Sequence, residues 1–310
     1  MARRRKGLPI DGVLLLDKPK GMSSNHALQR VRRLFQARKA GHTGTLDPMA
    51  TGLLPVCFGE ATKFSAHLLD ADKVYRTRVK LGETTDTGDA EGVVVERQAL
   101  PDTLDRSAVE TILERFRGEI EQIPPMYSAL KHQGRKLYEL AREGKTIARA
   151  ARCVTVYDMR PLGWERDGFW LQVRCSKGTY IRTLAEDIGA ALGLGAHITA
   201  LERLETGPFD SEKRLSLEAL EAMSDDERLG QLMPIDVLLG HLPSLAVEAP
   251  VADRLLQGQR ASVPDAALAL APGATARLYR GESFLGLVES TAPGEIAPRR
   301  LVDTSALVPG

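Results

Sequence analysis

The chain has 310 residues, of which 43% are apolar and 27% are charged, and its formal net charge is +1. This composition excludes a disordered tail, and no apolar run approaches the roughly 18 residues that cross a bilayer. The three cysteines have no C-x-x-C spacing, and the basic N-terminal region does not have the pattern of a signal peptide. We therefore expect a cytoplasmic protein without a disulfide framework, a zinc ribbon or a membrane span.

The first part of the chain predicts a strand, a basic helix and a loop. Residues 11–16 (DGVLLL) are typical of a short buried strand, and the proline and glycine of DKPKGMSSN interrupt regular structure after it. Apolar residues then recur three positions apart between arginines up to Leu34, which predicts an amphipathic helix capped by Ser24 or Asn25. Residues 41–62 are rich in Gly, Thr and Pro and predict a structured loop.

The middle of the chain predicts two strands, a helix and a basic insertion. Alternating apolar and polar residues predict strands at 74–82 and 92–98, joined as a hairpin by the acidic loop TTDTGDAEG. Residues 105–117 fit an amphipathic helix. Residues 124–152 are polar and basic with interspersed tyrosines, so we expect this insertion to face RNA.

The second half predicts further mixed structure and a separate terminal unit. Strands are expected at CVTVYDMRP and FWLQVRCSKGTYIRTL, and a helix is expected around LAEDIGAALG. A proline-containing connector lies near residues 235–250, and the short strands that follow indicate a small β-rich domain. The alternation of elements indicates a mixed α/β fold.

Charge is unevenly distributed along the chain despite the small total. Residues 1–40 carry 11 Lys or Arg against two acids, residues 130–182 hold a second basic excess, and acids gather in residues 210–230. A phosphate-facing surface needs such an asymmetry, because neutralising phosphates releases counterions. The alternative is that these runs are solvated faces without a partner.

Asp47 is a candidate for chemistry because no Lys or Arg lies within five residues of it in the glycine-rich segment GHTGTLDPMATG. The alternative is a turn aspartate before Pro48 that bonds to nearby backbone amides. The sequence has no H-E-x-x-H metal motif, no phosphate-binding G-x-x-x-x-G-K-[ST] loop and no G-x-S-x-G nucleophile motif. Carboxylate chemistry without a metal or cofactor is what remains.

Five motifs in order connect this chain with a known family. GHTGTLDPMATGLLP closely resembles the signature loop of TruB-type tRNA pseudouridine synthases, and LLLDKPKGMSSN, KVYRTRVKLG, SKGTYIRTLAEDIG and GAHITALERLETGPF resemble other family segments. They span most of residues 11–209. The resemblance implies an α+β pseudouridine synthase fold, with a central, mostly antiparallel sheet flanked by helices. It places the catalytic domain at 1–245, an RNA-binding thumb at about 124–152, and a PUA-like domain at 246–310.

The resemblance also implies roles for individual residues. Asp47 corresponds to the catalytic aspartate, Arg182 to its ionic partner, and Tyr75 to the ring that stacks on the target base, with a hydroxyl that could help to remove the C5 proton. The alternatives are a phosphate contact or surface ion pair for Arg182 and a core position for Tyr75. Addition of Asp47 to the base, attack at C1′ and a glycal route all stay open.

Three further residues correspond to the base pocket of the family. Tyr180 and Leu201 match pocket-lining positions, although a core leucine fits Leu201 almost as well. His42 resembles the histidine that fills the gap left by the flipped nucleotide, with an acid–base role as the second interpretation. Flipping is required because a base stacked inside a folded RNA loop cannot reach a carboxylate.

The family resemblance assigns the basic segments to the RNA backbone. Its expected contacts are Lys18, Lys20, Lys63, Lys131 and Arg152. The thumb departs from the family in GKTIARAAR, where relatives usually carry acids before the final arginine. This departure concerns the thumb contacts with RNA and not the chemistry.

The function implied is the cofactor-free isomerisation of the uridine at position 55 in the T-loop of tRNA. We expect the T-arm to be the RNA partner of a monomer without an obligatory protein partner. A chaperone that folds tRNA is the rival from another class, and a guide-RNA-dependent synthase is a third alternative. The rival predicts that Asp47→Asn is silent in tRNA refolding.

Overall fold

The computed structural model describes residues 7–103, 105–263 and 270–303, so the basic residues Arg3, Arg4, Arg5 and Lys6 lie outside the described part. Short 3-10 turns occupy Gly59–Lys63 and Ile235–Leu239. The α-helices are α1 Ser24–Leu34, α2 Ala66–Leu69, α3 Arg106–Glu114, α4 Leu137–Arg142, α5 Ile181–Ala191, α6 Leu217–Ala222, α7 Asp225–Leu229 and α8 Ala249–Leu256.

Strands are distributed over the whole described chain. Those before residue 150 are β1 Gly12–Lys18, β2 Ala40–His42, β3 Thr51–Phe58, β4 Lys73–Leu81, β5 Glu83–Thr85, β6 Val94–Arg97, β7 Gly118–Gln122, β8 Lys131–His132 and β9 Arg135–Lys136. Those after it are β10 Arg152–Glu165, β11 Gly168–Cys175, β12 Ala196–Thr206, β13 Leu215–Ser216, β14 Ser244–Ala246, β15 Ala261–Ser262, β16 Thr275–Arg280, β17 Ser283–Ala292 and β18 Glu295–Leu301.

The main sheet has the order β13-β1-β3-β12-β4-β11-β10-β7, with β2 paired to β3 at one side. Within the described residues, only the β1–β13 and β3–β12 pairs of this sheet are parallel. The expected mixed α/β fold with a mostly antiparallel central sheet is therefore confirmed. The parallel pairing of β3 with β12 matters for function, because it brings distant chain segments side by side at the sheet centre.

Helices α3 and α5 cover one face of this sheet. The apolar faces of β4, β10 and β11 pack against Leu113 of α3 and against Leu184 and Ile188 of α5. The predicted helix at 105–117 is observed as α3, which begins after Asp105 because the Asp105 carboxylate accepts the Ala108 N–H at 3.1 Å. Helix α1 is capped by Ser23 rather than by Ser24 or Asn25, since the Ser23 hydroxyl accepts the His26 N–H.

The structured loop predicted at 41–62 is wrong in its second half, where β3 crosses the sheet centre. Strand β3 pairs with β1 over its length, and every residue from Gly52 to Phe58 is buried. A strand buried on both faces shows no alternation, so its pattern did not distinguish it from a loop. Pro55 is tolerated because it lies between the part of β3 paired to β12 and the part paired to β2.

The predicted hairpin between 74–82 and 92–98 is also wrong. Strand β4 pairs with β11 and β12 instead, and the short β5 that follows it pairs with β6. The intervening loop turns inward, because Gly88 accepts the Ile198 N–H through its carbonyl at 3.1 Å. The acidic loop expected to join the two strands of a hairpin therefore contacts β12 in the main sheet instead.

A second sheet with the order β14-β16-β17-β18-β15 forms the C-terminal unit. It has its own core, in which Leu245, Leu278 and Val288 are buried against Leu255 of α8. Residues 264–269 and 304–310 of the expected C-terminal domain lie outside the described residues. Among the described residues no helix is long and apolar enough to cross a membrane.

Candidate active site

The segment between β2 and β3 carries Asp47 and is anchored on both sides of it. Leu46 and Met49 are buried in the core beneath α5, while the Asp47 side chain keeps 35% of its surface accessible. Ser24 at the start of α1 fixes the backbone, since its hydroxyl lies 2.7 Å from the Leu46 nitrogen and 2.9 Å from the Leu46 carbonyl oxygen. The neighbouring Leu46 and Met49 thus hold the carboxylate in place.

Lys18 supports the same segment from below and does not reach the surface. Lys18 is fully buried. Its ammonium donates to the carbonyls of Pro19 at 2.9 Å, Met22 at 2.5 Å and Pro48 at 3.3 Å. Burial lowers the pKa of Lys18 to about 8. The expected RNA contact by Lys18 is therefore corrected, because its donors bind backbone carbonyls around the Asp47 segment.

Arg182 on the first turn of α5 pairs with Asp47. Its Nε lies 3.1 Å from Asp47 Oδ2, and only 4% of its side chain is accessible. Nη1 and Nη2 donate to the carbonyls of Thr87 at 2.8 Å and Tyr127 at 2.7 Å. The guanidinium is thus held by three chain segments at a fixed angle to the carboxylate, which the alternative of an exposed phosphate contact does not fit.

Asp89 is a second carboxylate at Arg182 that sequence reasoning missed. Its Oδ2 lies 3.7 Å from Arg182 Nη1, and its Oδ1 accepts the Thr87 hydroxyl at 2.6 Å and the Glu91 N–H at 3.0 Å. Asp89 is 4% exposed. Nothing in TTDTGDAEG distinguishes this buried acid from its exposed neighbours, because its burial depends on the long-range contact of Gly88 with β12.

The opposite wall of the site is built by β4 and β12. Tyr75 and Arg203 are direct cross-strand partners, and Leu201 lies opposite Thr77 two positions along. Tyr75 is half-buried against the core, Leu201 is 8% exposed and Arg203 is 1% exposed. Leu201 therefore packs in the hydrophobic core and also lines the cavity wall. The pocket-lining and core interpretations of this residue are compatible.

Tyr180 precedes α5 and closes the site at the base of the thumb. The Gln122 amide oxygen accepts the Tyr180 N–H at 3.0 Å, and the Gln122 amide donates to the Tyr180 carbonyl at 3.2 Å. Ser128 and Ala129 of the thumb base lie nearby. The predicted RNA-facing insertion thus contributes residues to the wall of the site.

These segments enclose a cavity of about 250 Å³. This size lies near the lower end of ordinary ligand pockets, roughly 300 Å³, and suits one small ring system. Its walls combine a carboxylate, guanidinium and ammonium groups, two tyrosines and apolar side chains. The residues that line it include Asp47, Leu69, Lys73, Tyr75, Ser128, Ala129, Tyr180, Arg182, Leu201 and Arg203.

Burial and neighbouring charges set the protonation states in the cavity. Burial raises the pKa of Asp47, the Arg182 charge opposes this rise, and Asp89 adds to it. Burial also raises the pKa of the Tyr75 and Tyr180 hydroxyls above the ordinary tyrosine value of about 10, so both phenols are neutral at pH 7. The pKa of Lys73, whose ammonium donates to the Leu69 carbonyl at 2.9 Å, is lowered to about 8 by burial.

His42 lies at the end of β2, outside the residues that line the cavity. Burial and the nearby Arg203 charge lower its pKa, so the imidazole is neutral at pH 7. Its buried Nδ1 has no hydrogen-bond partner among the described residues. A neutral ring of this kind fits the space-filling interpretation better than that of a proton donor.

The remaining basic residues differ in whether their charged groups are exposed to solvent or already paired within the protein. Lys20, Lys131 and Arg152 are exposed, as an RNA contact requires. Lys63 instead pairs with Glu60 and donates to the Leu301 carbonyl at 3.0 Å, which ties it to the C-terminal unit. No cluster of three or more His, Cys, Asp or Glu that could hold a metal ion occurs in residues 7–103, 105–263 and 270–303.

Comparison with known proteins gives consistent matches along the chain. Residues 32–181 match the family described as TruB family pseudouridylate synthase (N terminal domain). Residues 182–240 match the tRNA pseudouridylate synthase B C-terminal domain, and residues 243–302 match Pseudouridine synthase II TruB, C-terminal. The matched residues include every strand of the second sheet and the strands of the main sheet from β2 to β13.

Relatives of full length and solved structures agree with these matches. The tRNA pseudouridine synthase B of Chromohalobacter salexigens is 66% identical over 307 residues and 99% of each chain, and that of Azoarcus sp. is 54% identical over 295 residues, 95% of this chain and 96% of the relative. A chain of the crystal structure of a Cbf5-Nop10-Gar1 complex is 26% identical, with a TM-score of 0.69 over 91% of this chain and 79% of that one. A chain of an H/ACA RNP bound to a substrate RNA containing 2'-deoxyuridine shares the fold, with a TM-score of 0.71 at 23% identity over 98% of this chain and 92% of that one.

Proposed function

Because the chain belongs to the TruB family of pseudouridylate synthases, we propose that it converts the uridine at position 55 in the T-loop of tRNA to pseudouridine. The observation that carries this proposal is the Asp47 carboxylate, held 3.1 Å from the Arg182 guanidinium at the wall of a base-sized cavity. An aspartate in an ordinary surface turn would have neither a buried guanidinium partner nor a cavity beside it.

The reaction needs no cofactor, because it exchanges bonds within one nucleotide. The C1′–N1 bond breaks, a C1′–C5 bond forms, and the proton lost from C5 is matched by one gained at N1. We propose that Asp47 acts in its ionised form, either as a nucleophile or by stabilising positive charge on the sugar. Arg182 favours the ionised form and aims it, since it opposes the rise in the pKa of Asp47 that burial causes.

We assign the remaining residues of the cavity to binding the flipped base. Tyr75 offers a ring for stacking, and its raised pKa disfavours the phenolate that proton removal from C5 would require at neutral pH. Tyr180 and Leu201 complete the pocket. His42 is proposed to fill the gap that the flipped nucleotide leaves in the RNA, as a neutral ring.

The proposed RNA surface consists of basic residues whose side chains are exposed. We propose that Lys20, Lys131 and Arg152 contact the T-arm backbone, whereas Lys63 has a structural part in joining the two units. The catalytic domain would end near residue 245, where β14 enters the second sheet, and residues 246–310 would form a PUA-like domain. We also propose a monomer that acts in the cytoplasm, and the enclosure of the site by residues of one chain supports activity without a protein partner.

The decisive variant is Asp47→Asn, which keeps the size of the side chain but removes its charge. We expect pseudouridine formation on a tRNA transcript to disappear while the Kd for tRNA stays within about threefold, because the carboxylate acts in the chemical step. Asp226→Asn on the exposed first turn of α7 is the matched control. Undiminished product with Asp47→Asn would refute the assignment.

The proposed substrate is tested with an isolated T-arm stem-loop and a second stem-loop of the same length. Purified chain alone should modify the first at the position equivalent to 55 and leave the second unmodified. Analytical ultracentrifugation of the active sample should give the mass of one chain. Activity that requires an added guide RNA or protein would contradict the stand-alone enzyme.

A further inference from the structure

Arg203 is a buried cation whose contacts are all neutral. It is 1% exposed, its Nε donates to the Leu53 carbonyl at 2.8 Å, and its Nη2 donates to the Gly44 carbonyl at 3.1 Å. On its other side the guanidinium faces the Tyr75 hydroxyl, since Arg203 and Tyr75 are direct cross-strand partners and line the same cavity. No carboxylate forms an ion pair with it in the part of the chain that the structure describes.

The two glycines that flank the Asp47 segment, Gly44 and Gly52, both pack closely against Arg203. An added Cβ on Gly44 would lie 3.2 Å from Arg203 Nη1, and one on Gly52 would lie 2.4 Å from the Arg203 carbonyl oxygen. Both glycines have positive φ angles, +86° and +95°. Arg203 therefore sets where the segment leaves β2 and where it enters β3, with Asp47 between these points.

We propose that Arg203 is a positioning residue that acts through the Tyr75 hydroxyl and fixes the Tyr75 ring relative to the segment that carries Asp47. The guanidinium fork is rigid, and it spans the carbonyl of Gly44 on one side and the phenol on the other. A base stacked on Tyr75 is thereby held at a set distance from the carboxylate. This inference rests on the proposed function, since it concerns the geometry of the same reaction.

A buried charge without an ionic partner lowers the free energy of unfolding. A residue that only linked the carbonyls of Gly44 and Leu53 would not need to be charged. A neutral amide could bond the two carbonyls at lower cost. The positive charge also acts on the cavity, because it contributes to the lowered pKa of His42 and of Lys73. Its direct neighbour in the cavity wall is the phenol oxygen of Tyr75, so the coupling between these two side chains is what an experiment must isolate.

The test is a double-mutant cycle with Arg203→Lys, Tyr75→Phe and the double variant, measured in single-turnover reactions on a tRNA transcript. Arg203→Lys keeps the charge but loses the fork, and we expect it to lower the rate about 10- to 100-fold with the Kd for tRNA within about twofold. In the Tyr75→Phe background the same change should lower the rate less than about threefold. Equal losses in both backgrounds would overturn the proposal.

Arg76→Lys is the matched control, since Arg76 is exposed, adjacent to Tyr75 in sequence and paired with Glu202 at the surface. It should leave both rates within about twofold. A second measurement does not depend on the folding of the Arg203 variant or on enzyme activity. Tyr75→Phe removes the polar group that the buried Arg203 guanidinium faces in the cavity wall, so the thermal midpoint should fall by about 2–4 °C. An unchanged midpoint would refute the polar contact between the two side chains.

The two sets of results separate this inference from the proposed function. A wild-type chain that makes no pseudouridine would refute the function, whereas the thermal comparison would still report on the contact between Arg203 and Tyr75. An active wild type with additive losses would refute the inference alone.

Discussion

Two aspartates share one guanidinium at the centre of the site, and their surroundings make them unequal. Asp89 is almost fully buried, and its carboxylate accepts the Thr87 hydroxyl and the Glu91 N–H. Asp47 has an accessible edge in the cavity, and Arg182 is its one ion-pair partner among the residues that the structure describes. Asp89 thus orients Arg182, while Asp47 keeps an oxygen free for substrate.

We expect Asp89→Asn to change both the rate and its pH dependence. The rate at neutral pH should fall about 10-fold or more, because Arg182 loses one of the groups that fix its angle. Asp89 raises the pKa of Asp47, so its neutralisation lowers that pKa. The acid limb of the rate profile reports loss of ionised Asp47 as pH falls, and it should therefore move to lower pH.

The measurement is the single-turnover rate against pH for the wild type and Asp89→Asn. Glu91→Gln, two residues further along the same loop, is the control that removes an acid without contact to Arg182. An acid limb that stays in place, or moves to higher pH, would contradict the electrostatic role of Asp89.

At the scale of elements, β1, α1 and the Asp47 segment pack together. They illustrate which features the sequence could predict and which it could not. The glycine-rich segment and the apolar strand DGVLLL were recognisable because their signals are local. The buried state of Lys18 was not, since DKPKG has the composition of an exposed basic turn. The burial depends on Pro48, 30 residues later, whose carbonyl meets the ammonium at 3.3 Å.

The difference between local signals and tertiary contacts also explains which elements of the fold were predicted correctly and which were not. The helices α1 and α3 were predicted because amphipathic periodicity and capping are properties of short windows. Strand β3 was missed because burial on both faces removes the alternation that marks a strand. The inward turn at Gly88 was missed because only its contact with β12 reveals it. Motif resemblance identified Asp47, Arg182 and Tyr75, whereas Asp89 and Arg203 emerged from tertiary contacts.

Lys18 and Lys20 therefore offer a matched pair of substitutions. Lys18→Met should lower the free energy of unfolding by about 2–3 kcal/mol, since it leaves buried carbonyls without a donor. Lys20→Met should leave stability unchanged and weaken tRNA binding, with a salt slope smaller by about one. Urea unfolding and binding at several salt concentrations measure both. Equal effects of the two substitutions on stability would refute the division of roles.

At the scale of the whole molecule, the two sheets share a hydrophobic cluster. Val13 and Leu53 of the main sheet pack together with Leu287 and Val302 of the C-terminal unit. Phe64 is 1% exposed in this cluster and meets Phe284 edge-on, with ring centroids 5.6 Å apart. The units are thus joined by a continuous core, and not by a flexible linker.

This shared core predicts one cooperative unfolding transition for the full chain. A substitution inside the shared core should separate that transition into two. Phe64→Ala removes a large buried ring between the units, at a cost of about 3–5 kcal/mol, and should split the calorimetric transition into two. Phe35→Ala removes a ring that packs on Phe58 in a cluster without C-terminal residues, so it should lower the midpoint but keep one transition. Two transitions in the wild type, or the same response to both substitutions, would show that the units fold independently. If the coupling holds, the C-terminal unit contributes to the site through stability, since Leu53 lies in the shared cluster and its carbonyl binds Arg203.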